Sequence, residues 1–144
     1  MRQNHLWKVC MAALFSFVFL LANVPAASAA SMSDLQGQYR LVNSPPDGTY
    51  TTKSRGSIVT FGYEGDDLVG RMTKASPTST FRDGDVVFTN MYVDNGELHA
   101  TIIFSDYMQS VVVIRVFEGG RFLRVEGDKR SGNDQDLFWD MRKI

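Results

Sequence analysis

The sequence predicts an all-β domain, an eight-stranded antiparallel up-and-down barrel that follows an N-terminal signal peptide. Three observations carry the prediction. From Leu35 onward the chain is a series of short apolar runs bounded by turn residues, with no helical period over any long window. Nearly every run is joined to the next one, which makes a meander of antiparallel neighbours. A flat eight-stranded sheet would leave two exposed edges, and closing it into a barrel removes both.

Composition narrows the class. The chain has 144 residues, 44% hydrophobic and 22% charged, with a single Cys. That excludes a disordered polar chain, a collagen-like repeat and a disulfide-stapled scaffold, and the length allows one domain.

Residues 1–30 read as a secretory signal peptide. Arg2, His5 and Lys8 give a positive start, Val9 to Leu21 is an apolar run of 13 residues, and Ala27-Ser28-Ala29 is an A-x-A cleavage site near Ala29/Ala30. The run falls short of the ~20 residues of a membrane span. An uncleaved anchor is the alternative. Cleavage removes Cys10, so the mature domain, residues 31–144, has no thiol for a disulfide, a nucleophile or a metal. A Cys-free exported domain fits a bacterial periplasm or cell surface. Two of the 15 basic residues fall in the leader and none of the 16 acidic ones does, leaving 13 against 16 and a net charge of −3. Such a balance argues against nucleic acid as a partner.

The strands follow in order. The first covers about Gln36–Asn43 and the second Ser57–Tyr63. Gly65-Asp66 turns the chain into a third, about Asp67–Lys74, and the fourth is Asp85–Val93. Asn95-Gly96 is the strongest hairpin signal in the chain, because both central positions of a type I′ turn need φ > 0. The fifth strand is Glu97–Ser105 and the sixth about Gln109–Phe117. Gly119-Gly120 leads into the seventh, Arg121–Glu126, and the eighth is Asp136–Arg142.

Alternation supplies an inward face. The fifth strand places Leu98, Ala100, Ile102 and Phe104 on one side, and the fourth places Val86, Phe88, Asn90 and Tyr92 on one side. The sixth is apolar on both sides. Either a second subunit covers its outer residues, making a homodimer, or β-branched residues stand there for strand propensity alone. The expected interior is Tyr39, Leu68, Met72, Phe88, Tyr92, Ile102, Phe104, Val113 and Trp139.

Links after the second, fourth and sixth strands are short, whereas those after the first, third and seventh are long. One end is therefore closed by hairpins and the other is a mouth. The mouth rim carries Tyr50, Lys53, Arg55, Phe81, Arg82, Tyr107, Lys129 and Arg130, an aromatic and basic set suited to recognition and to anionic head groups. Ser/Thr-rich stretches at Thr49–Thr52 and Ser76–Thr80 are either mobile or turn-forming.

No catalytic constellation stands out. The mature chain has one His, His99 in mid-strand, and no G-x-S-x-G, P-loop or Rossmann pattern. Carboxylates cluster at turns, where Asp bonds its own backbone. The loop Asp128–Asp136 is rich in oxygen ligands, but its spacing differs from an EF-hand and two cations interrupt it. No cofactor or metal is expected, and no enzymatic activity.

An exported eight-stranded meander with a long first loop resembles the lipocalin-like (calycin) barrels. In that superfamily a Gly-x-Trp on the first strand packs against an Arg near the end of the last. Here Gly37-Gln38-Tyr39 and Arg142 stand in those places, with Tyr for Trp, and Trp139 offers further aromatic packing. The resemblance implies fold more than function. It is compatible with a binding protein holding a small hydrophobic or amphiphilic molecule inside the barrel. That binding protein is the expected function, and a periplasmic protein-interaction or enzyme-inhibitor module with a filled core is the alternative.

Overall fold

The computed structural model describes residues 31–45 and 52–144, so the leader and Tyr50 lie outside the described residues. Eight strands follow in sequence: β1 (Gly37–Asn43), β2 (Ile58–Glu64), β3 (Asp67–Lys74), β4 (Val86–Asp94), β5 (Glu97–Ile103), β6 (Gln109–Phe117), β7 (Phe122–Gly127) and β8 (Trp139–Lys143). Each pairs antiparallel with the next, and β1 pairs with β8, which closes the barrel. Strand order and hairpins agree with the sequence reading. Two boundaries move by more than one residue: β5 ends at Ile103 rather than Ser105, and β8 begins at Trp139 rather than Asp136.

The interior is a column of rings. Tyr39 meets Phe61 edge-on at 5.6 Å, Phe61 meets Phe88 at 5.4 Å, Phe88 meets Trp139 at 5.8 Å, and Trp139 meets Phe81 at 5.9 Å. All five are buried. Such pairs add about 0.5–1.5 kcal/mol each beyond the area they bury. Gly70 on β3 makes room for them. A methyl group there would lie 2.9 Å from both Phe61 Cε1 and Phe88 Cδ2. Around the column Leu41, Val59, Leu68, Met72, Leu98, Ala100, Ile102, Val112, Ile114, Leu123, Val125 and Met141 complete the core.

Two interior expectations need correcting. Tyr92 points outward and is 48% exposed. The β4–β5 register slips between Thr89 and Tyr92, where Asn90 adopts φ 50, so an extra residue turns the following side chains over. Phe88 still pairs with Ile102 inside the barrel, but Tyr92 pairs with His99 outside it. Val113 also faces out. It alternates with the inward Val112 and Ile114 and pairs across to His99 and Glu126. It is buried all the same, because His99 and the chain near Asp128 lie against this wall. Phe104, just past β5, is half-buried against the core and faces Phe138 at 6.1 Å.

A short 3-10 turn, Met32–Leu35, closes the hairpin end, with Leu35 fully buried. The Tyr39 hydroxyl donates to the Gly120 carbonyl at 2.9 Å. Burial, with Asp34 nearby, pushes the Tyr39 phenol up to about 12. A phenol raised in the folded state contributes stability that is intact below the unfolded value of ~10 and is lost as pH rises through the folded one. Tyr39→Phe is therefore expected to flatten the fall in denaturation midpoint between pH 10 and 12, measured against wild type across that range.

The pairing expected between Tyr39 and Arg142 is made differently. Lys143 Nζ lies 5.7 Å from the Tyr39 ring centroid, while the Arg142 guanidinium lies 5.3 Å from that of Phe122 on the outer wall. Successive residues of a strand point to opposite faces, and Lys143 takes the side that meets Tyr39. Gly37, at φ 131, leaves space for it: a methyl there would sit 2.8 Å from Lys143 Cε.

Candidate functional site

The mouth is built by the links after β1, β3, β5 and β7. The Ser76–Thr80 stretch joins these links to one another, whereas most of Thr49–Thr52 lies outside the described residues. Ser76 Oγ and Thr78 Oγ1 donate to the Lys53 carbonyl at 2.8 and 2.7 Å, Ser54 and Ser79 share a hydroxyl bond at 3.0 Å, and Ser105 Oγ donates to Thr80 Oγ1 at 2.8 Å. Ser57 Oγ accepts from the Ser76 backbone N–H at 2.8 Å. Carboxylates at the loop ends serve the backbone: Asp83 accepts from the Ala75 N–H and Asp85 from the Arg82 N–H, each at 2.8 Å. This stitching folds the β3–β4 link inward and places Phe81 over Trp139.

Between that link and the β5–β6 hairpin lies a cleft of about 640 Å3, lined by Thr80, Phe81, Arg82, Asp85, Ile103 and Tyr107 among others. Three of the rim residues expected from sequence, Phe81, Arg82 and Tyr107, thus meet at one site. Phe81 forms its floor rather than its rim.

Among the described residues, the hairpin tip is the most exposed apolar feature of the mouth. Tyr107 is 86% exposed and Met108 64%. Tyr107 adopts φ 65, and the turn is held by Phe104 N–H to the Met108 carbonyl at 2.8 Å and Tyr107 N–H to the Phe104 carbonyl at 2.9 Å. A left-handed backbone costs a residue with a side chain about 1–2 kcal/mol that glycine would not incur. An aromatic group is therefore presented to solvent on a strained residue.

Lys53 and Arg55 are exposed on the adjoining loop. Lys129 and Arg130 line a separate hollow of about 150 Å3 on the outer wall, with Glu97, Glu126 and Asp128. Lys129 pairs with Asp136 at 2.9 Å, and that hydrogen bond holds its ammonium above the usual lysine range.

Beside the hollow, His99 is buried at 2% exposure. Its Nδ1 is 3.0 Å from Asp128 Oδ2, its Nε2 is 3.4 Å from Glu97 Oε1, and its ring stacks on Tyr92 at 4.9 Å. Asp128 Oδ1 also accepts from the Arg130 N–H at 3.0 Å, capping a short 3-10 turn. The His99–Asp128 bond therefore ties the β7–β8 link to β5.

Sequence reasoning missed Gly70 and the Asp128 partner of His99. A glycine inside an apolar strand is a signal of close approach and marks Gly70. Asp128 lies 29 positions from His99, and no local pattern connects them.

Comparison with protein-family models, with curated proteins and with solved structures finds no match to the chain. Its architecture alone is shown: a closed eight-stranded antiparallel barrel.

Proposed function

We propose that this chain is an exported protein-interaction module of the lipocalin-like type, with a filled core, that engages a partner through its long-loop end. The observation that carries the reading is the ring column. Tyr39, Phe61, Phe88, Trp139 and Phe81 each contact the next where a carrier would hold its ligand. The face offered instead is the cleft floored by Phe81, with Arg82 and the exposed Tyr107-Met108 tip beside it. Exposed Tyr and Met beside Arg are the groups enriched at protein interfaces. The closed meander and the cation over the first-strand aromatic support the lipocalin-like assignment. The 30-residue leader supports export.

A separate observation favours the small-molecule reading. The Trp139 indole N–H and the Ser44 hydroxyl are buried without a hydrogen-bond partner among the described residues. Buried donors are ordinarily satisfied, so a guest or a water at the mouth end of the column would account for them.

Photocrosslinking tests the interaction reading. A photoreactive side chain at position 108 is expected to yield one adduct of defined mass in the host's envelope fraction, and the same group at position 66, at the opposite end, none. Tyr107→Gly is expected to abolish the adduct while leaving thermal stability equal or higher, because glycine accepts the left-handed backbone. An adduct that survives Tyr107→Gly, or that forms equally from position 66, overturns the reading.

A further inference from the structure

We propose that the hairpin end of the barrel, where β7 begins and β8 ends, binds a phosphate group through Arg121, Arg142 and Lys143, with Arg40 beside Arg142 on the outer wall. Arg121, Arg142 and Lys143 line one cleft of about 380 Å3. Arg40 is the direct cross-strand partner of Arg142, on the same outward face. Like charges set opposite each other across a ladder are destabilising.

Elsewhere the wall neutralises its guanidinium groups. Arg71 is bonded to Glu64, Arg115 to Glu126 at 2.8 Å, and Arg124 to Asp140 at 2.8 Å. The hydrogen bonds to these carboxylates raise all three arginines above the usual range. The three cations of the cleft and the neighbouring Arg40 have no such arrangement. Arg40, Arg121 and Lys143 form no ion pair among the described residues, and Arg142 has only Glu118, with Nη1 3.8 Å from Oε2 and both side chains more than half exposed. That separation exceeds hydrogen-bond distance.

The cluster also runs against composition, since residues 31–144 carry a net charge of −3. Four neighbouring cations, three of them guanidinium forks and all but Arg121 on strands, suit a compact group of more than one negative charge with several acceptor oxygens. A phosphomonoester, at about −1.5 to −2 near neutral pH, meets that description, and a single carboxylate supplies half the charge. Phe122, beneath the Arg142 guanidinium, holds that fork in place by a cation–π contact. The site lies at the end opposite the proposed interaction face and does not depend on it.

A phosphomonoester can arrive on a soluble molecule or as a lipid headgroup, and one titration distinguishes the two. Amide resonances of the folded protein would be followed during addition of inorganic phosphate, of acetate, and of phosphatidylcholine vesicles with and without phosphatidic acid. Saturable shifts centred on Arg40, Arg121, Arg142 and Lys143 with phosphate and not with acetate are expected if the source is soluble. Binding only to vesicles containing phosphatidic acid assigns the same chemistry to a headgroup. Arg121→Gln with Arg142→Gln is expected to weaken either form about tenfold or more, as removal of two charge-assisted hydrogen bonds would. Both side chains are exposed, so the denaturation midpoint should stay near wild type and report that the variant is folded. Glu118→Gln, which releases Arg142, is expected to tighten binding. No response to phosphate or to phosphatidic acid, or unchanged affinity in the double variant, overturns the proposal.

Discussion

Phe88→Ala is expected to destabilise the fold by about 3–5 kcal/mol, read as a fall in denaturant midpoint at unchanged slope. Phe88 touches both Phe61 and Trp139, so its removal breaks the ring column in the middle. The site cannot collapse easily, because eight strands are closed into one hydrogen-bonded ring and cannot move inward independently. A conservative control sharpens the result. Phe88→Leu keeps most of the volume and is expected to lose less than half as much. A loss below about 1 kcal/mol for the alanine variant would show that the interior is loosely packed.

The second large effect is expected outside the barrel. His99→Phe preserves the stack on Tyr92 but leaves Asp128 Oδ2 buried without its hydrogen-bond partner, and should cost about 1.5–3 kcal/mol. Asp128→Ala removes the same bond and the cap on the Arg130 N–H, and should cost a similar amount. The two losses share one interaction, so the double variant should lose less than their sum. A coupling of about 1–3 kcal/mol in the mutant cycle is expected. Additive losses would show that His99 and Asp128 act independently.

These two predictions fall on either side of what was legible in the sequence. The barrel was readable because each of its causes is local. Asn95-Gly96 and Gly119-Gly120 force tight turns, and the alternation of Leu98, Ala100 and Ile102 assigns a face. The strand faces failed where the cause was not local. The bulge at Asn90 reverses every side chain after it on β4, and nothing in Asn-Met-Tyr-Val announces an extra residue there. Val113 was unreadable for a different reason. The outer wall of β6 is apolar because the chain's own His99 and Asp128 cover it, and periodicity cannot separate an inner face from a covered outer one.

The mouth was partly legible. Loop lengths place the long links at one end, and Phe81, Arg82 and Tyr107 share a cleft there. That the Ser/Thr-rich link would fasten to the Lys53 carbonyl and drive Phe81 inward depends on bonds between distant loops. Lys129 and Arg130 joined a different hollow because the Asp128 cap turns their loop toward β5.

Titration of the folded protein with an apolar fluorophore tests most directly whether the barrel is filled. Wild type is expected to show no saturable binding, since the ring column occupies the interior. Phe88→Ala, with a cavity opened among the rings, is expected to gain it. Saturable binding to wild type, weakened by substitution at Trp139 or Phe81, would contradict the filled-core account and establish the barrel as a carrier.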